Sequence, residues 1–160
     1  MIIKILSFGP ENELFQKAMQ VRKQVFVDEL GLDPEIDFDG LDYESVHFLL
    51  EVDNKPVGTA RWRETDEGIK IERLSILKEY RGYGFGHVLL RYVVKDVLPS
   101  KKKIYIHAPE DLLNFFIWNG FEIEGEEFEE AGTAHYKLFY AKHQLKNSTK
   151  KGFLNKLIKH

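Results

Sequence analysis

Cysteine is absent from all 160 residues, which excludes a disulfide framework, a thiolate metal site and a cysteine nucleophile together. No apolar run approaches the roughly 20 residues that a membrane-spanning helix requires. The opening Met1 to Leu6 is too short and too lightly charged for a secretory leader and reads as a strand. Repeats and Pro/Gly/Ser linkers are missing too, so the chain reads as one domain. These absences lead us to expect a soluble cytoplasmic protein with no membrane partner.

Charge is unevenly placed. The net charge is −3, yet the last twenty residues hold six lysines and no acid. The body before them therefore carries 17 basic against 26 acidic groups. An acidic body repels polyanions, so no nucleic-acid partner is expected. Hydrophobic residues make up 43% and charged residues 31%, an ordinary globular balance. We expect a folded unit over residues 1–141 and a basic tail over 142–160. In the tail, Phe153, Leu154, Leu157 and Ile158 recur at helical spacing, which is compatible with a short amphipathic helix or a solvated terminus.

Along the chain, Ile2 to Phe8 reads as a strand. A helix then runs from Asn12 through Leu14, Phe15, Ala18, Val21 and Phe26 to a stop at Gly31. Residues 33–45 are an acidic loop. Strands follow at His47–Val52, Val57–Arg63 and Ile69–Leu77, with turn residues between them. A helix bears Val88, Leu89, Tyr92, Val93 and Val97 and closes at Pro99. Then come a strand at Lys103–His107, a helix at Asp111–Trp118 stopped by Asn119-Gly120, and a closing antiparallel pair, Phe121–Phe128 and His135–Tyr140. The class is α+β, with a mixed sheet.

The segment with chemistry is Arg81-Gly82-Tyr83-Gly84-Phe85-Gly86, between a strand and an amphipathic helix. Glycine lets the backbone take φ > 0 and approach a ligand closely. The first amides of the helix lack internal partners and carry partial positive charge, which suits a pyrophosphate, and Arg81 adds a full charge. A P-loop would need Lys-Ser/Thr where Gly86-His87-Val88 stands, and a dinucleotide turn would need G-x-G-x-x-G. By itself, this turn is compatible with phosphate binding or with a merely tight bend.

The spacing Arg81-x-x-Gly84-x-Gly86 resembles the acyl-CoA pyrophosphate loop of the GNAT superfamily of N-acyltransferases. Ile71-Glu72-Arg73-Leu74-Ser75-Ile76 before it and Phe115-Phe116-Ile117-Trp118-Asn119-Gly120-Phe121 after it match blocks of that family. Arg22, Val25-Phe26, Glu29 and His47, and Phe128 to His135, resemble one bacterial branch, so the likeness spans roughly residues 2–141. It implies a twisted mixed sheet of about six to seven strands flanked by helices, with acyl-CoA in a cleft between two splayed parallel strands. It implies acetyl transfer from acetyl-CoA to a primary amine by direct attack, without a covalent intermediate or a metal. A non-catalytic acyl-CoA-binding sensor is the alternative, because Phe116 replaces the family's usual tyrosine and Pro109 stands where Asn or Gln is common.

The likeness places the cofactor-binding set at Leu74, Ser75, Ile76, Arg81, Gly82, Tyr83, Gly84, Phe85, Gly86 and Phe116. Glu72 is the expected general base, with an ion pair to Arg61, Arg63 or Arg73 as its structural alternative. His135 is the second candidate, since imidazole titrates near neutrality. Arg22, Glu29 and Trp62 are candidates for the acceptor site. The acceptor remains open among small-molecule amines and peptide or protein amines, and a homodimer is left open as well. Asp37, Asp39, Asp42 and Glu35 lack the glycine and terminal glutamate of a calcium loop and read as solvated acids.

Overall fold

The computed structural model describes residues 1–141; the basic tail and its expected helix lie outside them. Seven strands form one mixed sheet: β1 (Ile3–Phe8), β2 (Val46–Val52), β3 (Lys55–Thr65), β4 (Gly68–Ile76), β5 (Ile104–Pro109), β6 (Phe121–Glu130) and β7 (Thr133–Tyr140). Their order is β1-β2-β3-β4-β5-β7-β6. Neighbours are antiparallel except β4 and β5, which run parallel. The β2–β3 turn is made by Asp53 and Asn54, both with positive φ (49° and 66°), the residue types that tolerate such a hairpin. Among the described residues no helix is long and apolar enough to cross a membrane.

Helix α1 (Leu14–Arg22) does not continue regularly to Phe26 but widens into a π-helical stretch over Lys23–Glu29. The amide of Leu30 reaches back to Val25, five residues earlier. In the acidic loop, Asp33 caps a single turn, α2 (Pro34–Asp37). Helix α3 (Phe85–Val97) buries Phe85, Leu89, Leu90, Val93, Val94 and Val97 against one sheet face, where alternate residues of β2 to β5 complete the core. Helix α4 (Leu113–Trp118) joins that layer through Phe116. On the opposite face, α1 packs Ala18 and Met19 on Phe8 and Leu49.

Two backbone features shape the sheet's centre. β4 and β5 pair only at Ile69–Ile104 and Lys70–Tyr105, after which no ladder joins them. Their closed end is held by Gly68, at φ 143°, where a Cβ would stand 2.3 Å from the Lys103 carbonyl oxygen. That carbonyl accepts the Ile69 amide at 2.8 Å. Farther along β4, Thr59 and Arg61 of β3 face Ser75 and Glu72, so Ala60 alone opposes both Arg73 and Leu74. Arg73 takes φ 56° in this bulge. A bulge re-aims the backbone beyond it.

Candidate active site

The gap opens toward the C-terminal ends of β4 and β5, and Leu74, Ser75 and Ile76 form one lip. The Leu77 amide donates to the Val57 carbonyl of β3 at 2.9 Å. Strand alternation therefore turns the Ile76 amide the other way, toward a neighbour that has diverged. Below this lip lies the glycine turn. Gly82 and Gly84 have φ of 84° and 83°, and Gly84 caps α3 in a left-handed conformation without a side-chain cap. The first ladder bond of the helix is Val88 to Gly84, leaving the amides of Phe85 and Gly86 without intrahelical acceptors. A Cβ on Gly82 would meet nothing within 4 Å, so this turn is open to a ligand. Gly86 serves close packing of α3 on α4 instead, since a Cβ there would lie 3.3 Å from the Phe115 ring. An extended donor carrying a diphosphate fits this arrangement, its anion at the helix amides and its chain along the gap.

The face opposite α3 carries the titratable groups. Glu72 receives Arg61 Nε and Nη2 at 2.9 and 2.7 Å, and Arg63 Nε and Nη2 at 3.0 and 3.1 Å. Lys70 Nζ lies 3.1 Å from Oε1, the oxygen that Arg63 Nη2 also reaches. Burial alone would push this carboxyl up. The hydrogen bond from Arg63 and the charges of Arg61 and Lys70 outweigh burial and hold it at about 2. Arg61 is fully buried and also binds Asp39 and Asp42. Across the gap, His135 is nearly buried, with Nδ1 3.0 Å from the Thr133 carbonyl and Nε2 3.6 Å from Glu130. Glu130 also binds His107 Nδ1 at 3.1 Å.

A family model described as the acetyltransferase (GNAT) domain matches residues 19–140. The chain belongs to the GNAT family. It is thereby an acyltransferase. It is 32% identical over 129 residues to the Bacillus subtilis uncharacterized N-acetyltransferase YjcF, covering 79% of this chain and 92% of that one. The crystal structure of Escherichia coli ElaA superposes with a TM-score of 0.78 at 26% identity, covering 87% of this chain and 99% of ElaA. A GNAT family acetyltransferase from Elizabethkingia anophelis, solved with acetyl-CoA bound, shares the fold at a TM-score of 0.67 and 16% identity, over 87% of this chain and 97% of that one.

Within this GNAT chain several expected site residues stand elsewhere than at a substrate. Arg22 is 1% exposed and spent on Asp42 at 2.6 Å and on Asp37 through side chain and carbonyl, so it cannot reach an acceptor. Glu29 places both oxygens on Arg81, at 2.6 and 2.7 Å, rather than toward an amine. Trp62 lies on the α3 side of the sheet and donates to Asp96 at 3.1 Å, on the face opposite Glu72 and His135. Phe116 is buried between the rings of Phe115 and Phe121, so its side chain belongs to the core and not to a cofactor contact. Phe85 is buried too, and only its backbone faces the turn, whereas Tyr83 is 73% exposed beside it. Of the acidic-loop groups read as solvated, Asp37 and Asp42 are instead buried on Arg22, Arg61 and Arg73, Asp39 stays partly open while binding Arg61 and Arg73, and Glu35 is exposed. His47 is a buried structural group, donating Nε2–H to the Asp42 carbonyl and packed on Phe8 and Phe15. The pairing of His107 with Glu130 has no signal in the sequence, because they lie on separate strands and only sheet register brings them together.

Proposed function

We propose that the protein is an acetyl-CoA-dependent N-acetyltransferase that acetylates a primary amine by direct attack within a ternary complex. The observation that carries this reading is the one-ended gap between β4 and β5, with the first α3 amides directed to its foot. The donor's diphosphate sits at residues 82–86, beside Arg81, and its extended arm follows Leu74 to Ile76. There the Ile76 amide is available to the thioester carbonyl, and a preorganised donor gains strength as the oxyanion develops. Acetyl-CoA seen in the Elizabethkingia structure agrees with this donor.

The acceptor approaches from the face opposite α3, where α1 covers only the β1–β4 half. Its nitrogen must be neutral to attack. Glu72, held at about 2, is a poor base, so the proton leaves toward the histidine side of the gap, where His135 lies. The leaving thiolate needs no phenol: a thiol of pKa about 8.5 departs adequately without an acid, which suits Phe116 in the core. The unit proposed for this work is residues 1–141, in a cytoplasmic protein.

Phe116 and Pro109 favour a second reading, a module that binds acyl-CoA without turnover. Calorimetry with CoA and acetyl-CoA, followed by thiol release in the presence of polyamine, aminoglycoside, amino acid and lysine-peptide acceptors, separates the two. Binding with turnover is the expected result. Binding without thiol release for any amine supports the module, and absence of binding at millimolar CoA removes both.

A further inference from the structure

The last paired rung of the parallel strands is Lys70–Tyr105. Two residues farther on, Glu72 and His107 stand on opposite lips of the gap and on the same face. One lip is neutralised by arginines. The other is built differently. His107 Nδ1 lies 3.1 Å from Glu130 Oε1, and because a carboxylate can only accept, Nδ1 carries the hydrogen. The imidazole lone pair is thereby set on Nε2, which has no hydrogen-bond partner among the described residues. Phe128 packs edge-on against the ring at 5.0 Å and Tyr105 lies at 5.9 Å, fixing its plane. The side chain keeps 21% of its surface open.

His135 is the poorer acceptor. Its Nδ1 donates to the Thr133 carbonyl, so the lone pair of the neutral ring faces Glu130 Oε2 at 3.6 Å, toward a carboxylate instead of the gap. An amine in the gap would find no open lone pair on that ring.

We propose that His107 Nε2 takes the proton of the acceptor amine, with Glu130 as the positioning residue it shares with His135. The inference rests on the acetyltransferase reading above. The amine lone pair forms the C–N bond, the C–S bond breaks to release CoA thiolate, and the proton shed by nitrogen passes to Nε2 and on to solvent. The charged groups around the ring are Glu130 from β6, His135 and Lys137 from β7, Lys70 and Glu72 from β4, and Glu67 from the β3–β4 turn, paired to Lys137. The hydrogen bond from His107 holds the Glu130 carboxyl below its usual range, consistent with an anion beside the ring.

The test uses full-length protein, acetyl-CoA and the amine that wild type turns over best in the panel above. H107Q should lower kcat about 100-fold, a typical contribution for a positioned base, with the KM for acetyl-CoA unchanged. E130A, which removes the acceptor on Nδ1, should lower kcat with the KM for acetyl-CoA unchanged, because the ring loses the bond that fixes its tautomer. Side-chain nitrogen NMR should show the Nδ1–H tautomer of His107 in wild type and a mixture of tautomers in E130A. Wild-type kcat in folded H107Q, or unchanged kcat and tautomer in E130A, overturns the proposal while leaving acetyl transfer intact. Wild type that binds CoA but acetylates nothing overturns the underlying reading, and the base with it.

Discussion

Arg81 shows how a single side chain links two parts of the site. Its Nε holds the Ile76 carbonyl at 2.9 Å, and its two terminal nitrogens hold Glu29. The Arg81 hydrogen bonds hold the Glu29 carboxyl below its usual range, so it is an anion seated where a diphosphate oxygen would compete. E29Q should therefore tighten CoA binding by about two- to five-fold, the scale of an exposed ion pair, as read by calorimetry. Weaker binding in E29Q would mean that the carboxylate only orients the guanidinium. Glu72 shows the limit of reading residues in order. The sequence offers a carboxylate on the right strand, and its ion-pair alternative is visible in Arg61 and Arg63. Lys70, two residues away, shares that face by strand alternation, but the convergence of Arg61 and Arg63 on the same carboxylate follows only from the β3–β4 register, which the Arg73 bulge shifts.

At the scale of elements, the closed end of the gap depends on Gly68. A methyl group there meets backbone at 2.3 Å, at a φ that L residues rarely adopt, so no side chain can yield. G68A should destabilise the fold by roughly 1–3 kcal/mol, measured by urea unfolding. It should also weaken CoA binding, since the first rung sets how the strands diverge; wild-type stability in G68A would show that the end is pliable. Most elements were legible from the chain because their signals are local: alternation in β2 and β3, Asp53-Asn54 at a hairpin, an apolar stripe on α3, Asn119-Gly120 after α4. The π-helical turn and the bulge were not, since neither has a periodicity of its own. The glycine turn was legible as a unit, yet the packing role of Gly86 was not, because the ring it packs on, Phe115, arrives from another helix.

For the whole molecule, the buried ionic network predicts acid sensitivity. Burial raises and arginine contacts lower the carboxyls of Glu72 and Asp39, and both settle at about 2. Their folded values lie below the unfolded ones, so their contribution is full above about pH 4.5 and is lost as pH falls toward 2. Thermal melts should show a falling Tm across that window. E72Q should melt lower at pH 7 and with a shallower slope below pH 4.5; an unchanged slope would remove Glu72 from the acid response.

The short ladder between β4 and β5 has a wider meaning. It divides the sheet into two plates, a four-stranded one and a three-stranded one, joined by a brief seam and by the helix laid across it. Each plate has antiparallel ladders of its own, so rocking about the seam disturbs few hydrogen bonds. A donor stretched along the opening would take the place of the missing rungs, and the protein would be stiffest when loaded.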